Sequence, residues 1–318
     1  MRLLDQVIGH QHTIEMLLQA YEYGQKGQVH LFVGPSGVGK RQTALGLAQA
    51  LLCENGDRGC GRCASCLRLE QQHHEGLLQI APDGMQIKME QAHEILHFLQ
   101  LKSISKARVI IIDQAHRLNE HAANSLLKIL EEPPAETFYF LIAPSSASVL
   151  PTIRSRSRIV SFKPLTMMEM KKRSPGPDWA LRCSRGSFEK FQQLIDSEEV
   201  ENRQLAVQIL QQMLQDRDLL IADDWRDHFR DRQFSQKIFS YWSMFLRDAL
   251  LLKVDDRESI LSIDQMPLLE KLSQFQVSNL LNLMQECILM ERSMANNLDA
   301  PLLVEKFFIE GFIPQWNG

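Results

Sequence analysis

The sequence predicts an α/β core built on a mostly parallel sheet, followed by an all-helical C-terminal region. Three observations predict it. β-rich runs alternate with helical patterns up to about Phe162, the run Val109-Ile110-Ile111-Ile112 is apolar without alternation, and strand-like patterning stops after Pro164. A strand with no polar alternation belongs in a sheet covered by helices on both faces, and the strand–helix–strand rhythm is that of a parallel sheet.

The five strand runs are Val29–Val33, Leu77–Ile80, Val109–Ile112, Phe138–Ile142 and Arg158–Phe162. Between them, Gln42–Leu52, Met89–Leu99 and Ala122–Leu130 carry apolar residues at helical spacing. Beyond Pro164 comes a short stretch with Lys171-Lys172-Arg173, read as a solvated helix face, and Pro175-Gly176-Pro177, which no regular element crosses. From about Asn202 onward the apolar stripes are helical: Leu205, Ile209, Met213; Ile238, Trp242, Phe245, Ala249; and Leu280, Met284, Ile288. This gives three regions, 1–163, 164–200 and 201–318.

Composition narrows the function classes. Over 318 residues the chain is 44% hydrophobic and 23% charged, an ordinary globular mixture that excludes a disordered or collagen-like chain. Lys and Arg total 35 against 39 Asp and Glu, a net charge of −4, so any DNA contact has to be local or shared with partners. No apolar run approaches the roughly 20 residues of a membrane helix. Met1–Gln6 lacks the apolar core and small-residue cleavage site of a secretory signal, so a cytoplasmic protein is expected.

After the first strand stands Gly34-Pro35-Ser36-Gly37-Val38-Gly39-Lys40-Arg41, which fits the phosphate-loop pattern G-x-x-x-x-G-K-[ST] except at its last position. Gly34, Gly37 and Gly39 let the backbone curl so that N–H groups face a phosphate, and Lys40 supplies a point charge. Arg41 replaces the hydroxyl that would bind Mg²⁺, and a guanidinium cannot ligate a metal. The apolar strand ends in Asp113, placed to hold the metal, and ATPases of this type follow that Asp with a water-activating Glu. Here Gln114 follows, an amide with no basicity near neutral pH. Both departures argue against hydrolysis, while ATP or ADP binding stays open.

Of six cysteines, Cys53, Cys60, Cys63 and Cys66 fall close together in a glycine-rich stretch. In a cytosolic chain such a cluster points to metal rather than disulfides. Four thiolates suit a closed tetrahedral Zn²⁺ site with a structural role. The spacing differs from the ferredoxin run of an iron–sulfur protein, and unligated reduced cysteines are the remaining alternative. Cys183 and Cys287 sit in apolar helical contexts and are expected in the core. His73-His74, near a site already filled by sulfur, are expected to face solvent.

The stretch from Ala122 to Pro134 (AANSLLKILEEPP) resembles bacterial replicative clamp-loader subunits of the AAA+ superfamily. So do Ile8-Gly9-His10-Gln11 and Leu150–Ser157, whose Ser155-Arg156-Ser157 is similar to the family's Ser-Arg-Cys motif with Ser for Cys. Ala123-Asn124 and the altered ATPase motifs look more like the delta-prime subunits than the motor subunits. Met294–Pro301 is similar to the end of the family's collar domain. The resemblance implies an AAA+ core over 1–163 with the zinc module at 53–66, a lid over 164–200 and a helical collar over 201–318. It implies a non-hydrolysing member of the DNA polymerase III clamp loader, acting with delta and the gamma/tau motor subunits, and reaching the sliding clamp and primer–template DNA through that complex. Arg156 would act in trans, as an arginine finger in a neighbour's ATP site. Glu189 stands where active members carry a second-sensor Arg. The alternative is a working ATP-hydrolysing motor subunit that tolerates Arg41 and Gln114.

Overall fold

Five parallel strands, β1 (Gln28–Val33), β2 (Leu77–Ile80), β3 (Arg108–Ile112), β4 (Thr137–Ala143) and β5 (Arg158–Ser161), form one sheet in the order β2-β3-β4-β1-β5. The computed structural model describes residues 1–22, 27–56, 58–102, 105–215, 229–294 and 300–307. Two units emerge, one of Met1–Pro175 with Arg185–Lys190 and one of Gly176–Ser184 with Phe191–Gly318, so residues 164–200 contribute to both.

In the first unit the central strands β1, β3 and β4 are buried on both faces, whereas β5 at the sheet edge is largely exposed. Phe32, Val109, Ile111, Phe138 and Phe140 face α1 (Gln11–Glu22) and α2 (Lys40–Leu52). Val29, Leu31, Ile110, Ile112, Tyr139 and Leu141 face α4 (Met89–Gln100) and α5 (Glu120–Glu131), while α3 (Ala64–Glu70) continues the cysteine loop. This alternation on apolar strands is why no polar residue interrupts Val109–Ile112. Asn119 caps α5 by accepting from Ala122 N–H at 2.8 Å, and Ala122, Ala123, Leu126 and Leu130 are its buried stripe. Two short helices flank β5: α6 (Pro151–Arg154) before it and α7 (Met167–Arg173) after it. Thr166 and Glu169 form a reciprocal capping box on α7, leaving Lys171, Lys172 and Arg173 exposed.

The described elements of the second unit are helical: α8 (Asp178–Ser184), the end of α9 (Phe188–Leu194), α10 (Ser197–Met213), α11 (Arg232–Lys253), α12 (Met266–Leu272), α13 (Val277–Ser293) and α14 (Ala300–Lys306). Its core gathers Ala206, Leu210, Phe239, Trp242, Phe245, Leu280 and Cys287, and Trp242 donates to the Ala206 carbonyl at 2.9 Å. Cys183 and Cys287 are buried, as expected. Buried Arg203 pairs with both oxygens of Asp264 at 2.8 Å and lies 4.0 Å over the Trp179 ring.

The stripe expected on α13 is displaced. Leu280, Leu283, Cys287 and Met290 are buried, while Met284 and Ile288 are half-buried at its margin. A strict i+4 row rotates off the contact line, whereas alternating steps of three and four hold it. The segment 295–299, within the collar-like motif, lies outside the described residues. Among the described residues no helix is long and apolar enough to cross a membrane.

Candidate functional site

The phosphate loop joins the carboxyl end of β1 to the N-terminus of α2, where backbone N–H groups favour an anion. Gly34 is required by close approach: a Cβ there would stand 2.2 Å from the Phe162 carbonyl oxygen. Lys40 is buried, and its ammonium donates to the carbonyl oxygens of Gly34 and Pro35 at 2.6 and 2.5 Å. Burial pulls its pKa below the ordinary lysine value, against the opposing pull of Asp113 and Glu189. Ser36 donates its hydroxyl to Glu189 Oε2 at 3.0 Å. Beside the loop lies a cavity of about 220 Å³, lined by Val7, Val38, Leu165, Arg173 and Phe188 among others.

Arg41, the first departure, is turned toward β2. Its guanidinium donates to Gln79 Oε1 at 3.3 Å and lies 3.5 Å from Gln72 Oε1. The loop therefore lacks the metal-binding hydroxyl, and the arginine charge is engaged by two amides. At the end of β3, Asp113 Oδ1 accepts from the Gln114 N–H at 2.9 Å. Gln114 has left-handed backbone torsions, φ 51° and ψ 45°, a conformation that costs a non-glycine residue about 1–3 kcal/mol.

Arg156 precedes β5. Its guanidinium donates to Glu131 Oε2 at 3.2 Å and to the Thr152 carbonyl at 3.1 Å. Because β5 runs parallel to β1 with Arg158 opposite His30, Arg156 sits at the end of the strands remote from the phosphate loop. Gly34 is four residue steps beyond His30, about 13 Å along the sheet.

The four-cysteine cluster forms between α2 and α3, with all four sulfurs within 4.8 Å of one another. A tetrahedral ion bound to sulfurs at about 2.3 Å sets them about 3.8 Å apart, and Cys60 and Cys66 sulfurs lie at 4.0 Å. The N–H groups of Cys60, Cys63 and Cys66 each donate at 3.4 Å to the sulfur of the preceding cysteine of the set. N–H groups of Arg62 and Cys63 aimed at the Cys60 sulfur hold its pKa down at about 6, while burial pushes the Cys66 thiol up. The Lys106 ammonium donates to the Cys53 carbonyl. These sulfurs can hold one metal ion.

His74 departs from expectation. His73 is exposed, but His74 is buried at 5% exposure. Gly76 N–H donates to His74 Nδ1 at 2.9 Å, which places the ring proton on Nε2, 2.7 Å from Ser65 Oγ. Ser65 in turn donates to the Leu52 carbonyl at 2.7 Å. These partners lie on α2, α3 and the entry to β2, so the burial of His74 follows from tertiary structure. The Ser36–Glu189 contact, 153 positions apart in sequence, was likewise not visible in any local motif.

The family described as DNA polymerase III, delta subunit, matches residues 9–166. The delta' subunit of DNA polymerase III from Bacillus subtilis is 28% identical over 264 residues, covering 79% of this chain and 80% of that protein. The tau subunit of DNA polymerase III from Escherichia coli is 34% identical over 169 residues, 52% of this chain but only 26% of that protein. The crystal structure of a DNA polymerase III gamma subunit-related protein from Thermotoga maritima matches 94% of this chain and 98% of its own. Its TM-score is 0.50 at 18% identity, a likeness of fold. The parallel sheet, the phosphate loop and the helical second unit thus make an AAA+ P-loop architecture with a helical C-terminal region, and the chain belongs to the family of DNA polymerase III clamp-loader subunits of the delta-prime type.

Proposed function

We propose that this chain is a non-hydrolysing subunit of the clamp loader and lends Arg156 to ATP bound by a neighbouring motor subunit. The observation that carries the reading is the place of Arg156, at the strand ends opposite its own phosphate loop. From there it serves a site on an adjacent subunit rather than its own. A guanidinium is always charged and bonds two phosphoryl oxygens at once, which suits the charge that grows during phosphoryl transfer.

Loss of hydrolysis in the chain itself follows from Arg41 and Gln114. Hydrolysis depends on placing Mg²⁺ and an attacking water, and neither side chain offers the group for it. Gly34, Gly37, Gly39, Lys40 and Asp113 remain as the frame of a vestigial nucleotide site. Cys53, Cys60, Cys63 and Cys66 hold a structural Zn²⁺; four protein thiolates leave no open position for catalysis. Residues 164–200 serve as the lid and 201–318 as the collar through which the subunits assemble. The partners are delta, the gamma/tau motor subunits and, through the complex, the sliding clamp and primer–template DNA, in the cytoplasm.

The test is co-purification with delta and gamma/tau subunits, with ATP turnover measured for the isolated chain and for the complex with and without it. The isolated chain turns over no ATP, and adding it raises the turnover stimulated by clamp and DNA. Steady turnover by the isolated chain that Lys40→Ala abolishes would instead identify a motor subunit.

A further inference from the structure

The ligand a phosphate loop of this pattern implies is a nucleoside triphosphate, and the residues facing the loop do not fit one. The stretch that opens α9 lies directly on it. Phe188 N–H donates to the Gly37 carbonyl at 2.9 Å, beside the Ser36 hydroxyl bonded to Glu189. A Cβ on Gly37, whose φ is +71°, would stand 2.3 Å from Ser187 Oγ and 2.7 Å from Glu189 Cβ. The stretch is fixed on its other side, where Leu165 N–H donates to the Gly186 carbonyl at 3.0 Å. A Cβ on Gly186 would lie 2.5 Å from the Leu165 carbonyl oxygen, so that approach also requires glycine. The Lys40 ammonium is turned back onto two carbonyls of its own loop.

We infer that the Glu189 carboxylate is the resident anion of this phosphate loop and excludes nucleotide phosphates from the chain. The loop's hydroxyl is already donated to a carboxylate, and its one ammonium faces carbonyls rather than an open cradle. A triphosphate entering the loop meets like charge beside Ser36, on the exposed rim of the loop, where charges at contact distance still repel. The cavity lined by Val7, Val38, Leu165 and Arg173 lies beside the loop, so the exclusion acts on the phosphate end of the nucleotide. This goes beyond the loss of hydrolysis. Arg41 and Gln114 remove the means to cleave a bound triphosphate, whereas Glu189 prevents it from binding.

The experiment is a titration of the full chain with a fluorescent ATP analogue, without added magnesium, followed by anisotropy. Wild type, Glu189→Gln, Glu189→Ala and the double variant Glu189→Gln, Lys40→Ala are compared, with thermal melting of each confirming the fold. Wild type shows no saturation up to about 1 mM. Glu189→Gln and Glu189→Ala bind at least about tenfold more tightly, as expected when one like charge leaves the site, and removing Lys40 abolishes the gain. A gain of binding cannot arise from misfolding. Saturation of wild type with the affinity of Glu189→Gln overturns the inference, and so does absence of binding by all four folded proteins. Neither outcome depends on turnover, so this inference and the proposed function fail separately.

Discussion

His74 Nε2 and Ser65 Oγ lie 2.7 Å apart, both buried, as the middle link of a chain of hydrogen bonds running from Gly76 N–H to the Leu52 carbonyl. That chain ties α2, α3 and the entry to β2 around the cysteine loop. His74→Ala leaves Gly76 N–H without its acceptor in a buried site, and such an unsatisfied group costs about 1–3 kcal/mol. We expect a loss of that size in urea unfolding. A midpoint equal to wild type, with an unchanged slope, would show that the chain carries no stability.

Metal analysis of protein purified without added metal should find about one equivalent of zinc per chain. Cys60→Ser removes one thiolate and should take the zinc content close to zero and lower the melting temperature, because metal binding and folding of such a loop are coupled. A zinc-free preparation that melts at the same temperature as the metal-loaded protein contradicts the assignment.

Stability should fall in acid partly through His30. This ring is buried on β1, stacked on Phe140 and met edge-on by Tyr21. Burial, reinforced by the Arg158 charge, lowers its pKa from 6.5 to about 4. Between those values the unfolded chain takes up a proton that the folded chain refuses. Stability is therefore fully present above pH 6.5 and declines toward pH 4, by up to about 3 kcal/mol from this group. His30→Phe removes the titration while keeping a ring against Phe140. Relative to wild type, the variant should gain stability as pH falls through that window, and parallel curves would exclude His30 as the cause.

The core strands were legible because β1, β3 and β4 are covered on both faces, so apolar residues run through them, with His30 the one polar ring between Val29 and Val33, and they stand out from the helices between them. The phosphate loop and the cysteine cluster were legible because their chemistry requires fixed local spacing. Arg41 was recognisable as a departure, but its turn toward Gln72 and Gln79 depends on the neighbouring β2 edge. His74 was misread because it is buried by partners up to 22 positions away, and Glu189 meets Ser36 only when the chain returns to the loop. Spacing reported what each segment needs locally, and contacts between distant segments decided the rest. On α13 even the periodicity misled, since Met284 and Ile288 flank the stripe centred on Leu283 and Cys287.

The central claim is that Arg156 works in a neighbour's ATP site, and in the isolated chain its guanidinium rests on Glu131. The most direct test is ATP turnover by the reconstituted loader carrying Arg156→Ala, with assembly checked by gel filtration. Arginine fingers contribute about 10³–10⁵ in rate in the best-studied phosphoryl transfers, and loss of one among several sites predicts a smaller but clear deficit in turnover stimulated by clamp and DNA. An assembled loader that keeps its full stimulated turnover with Arg156→Ala contradicts the account.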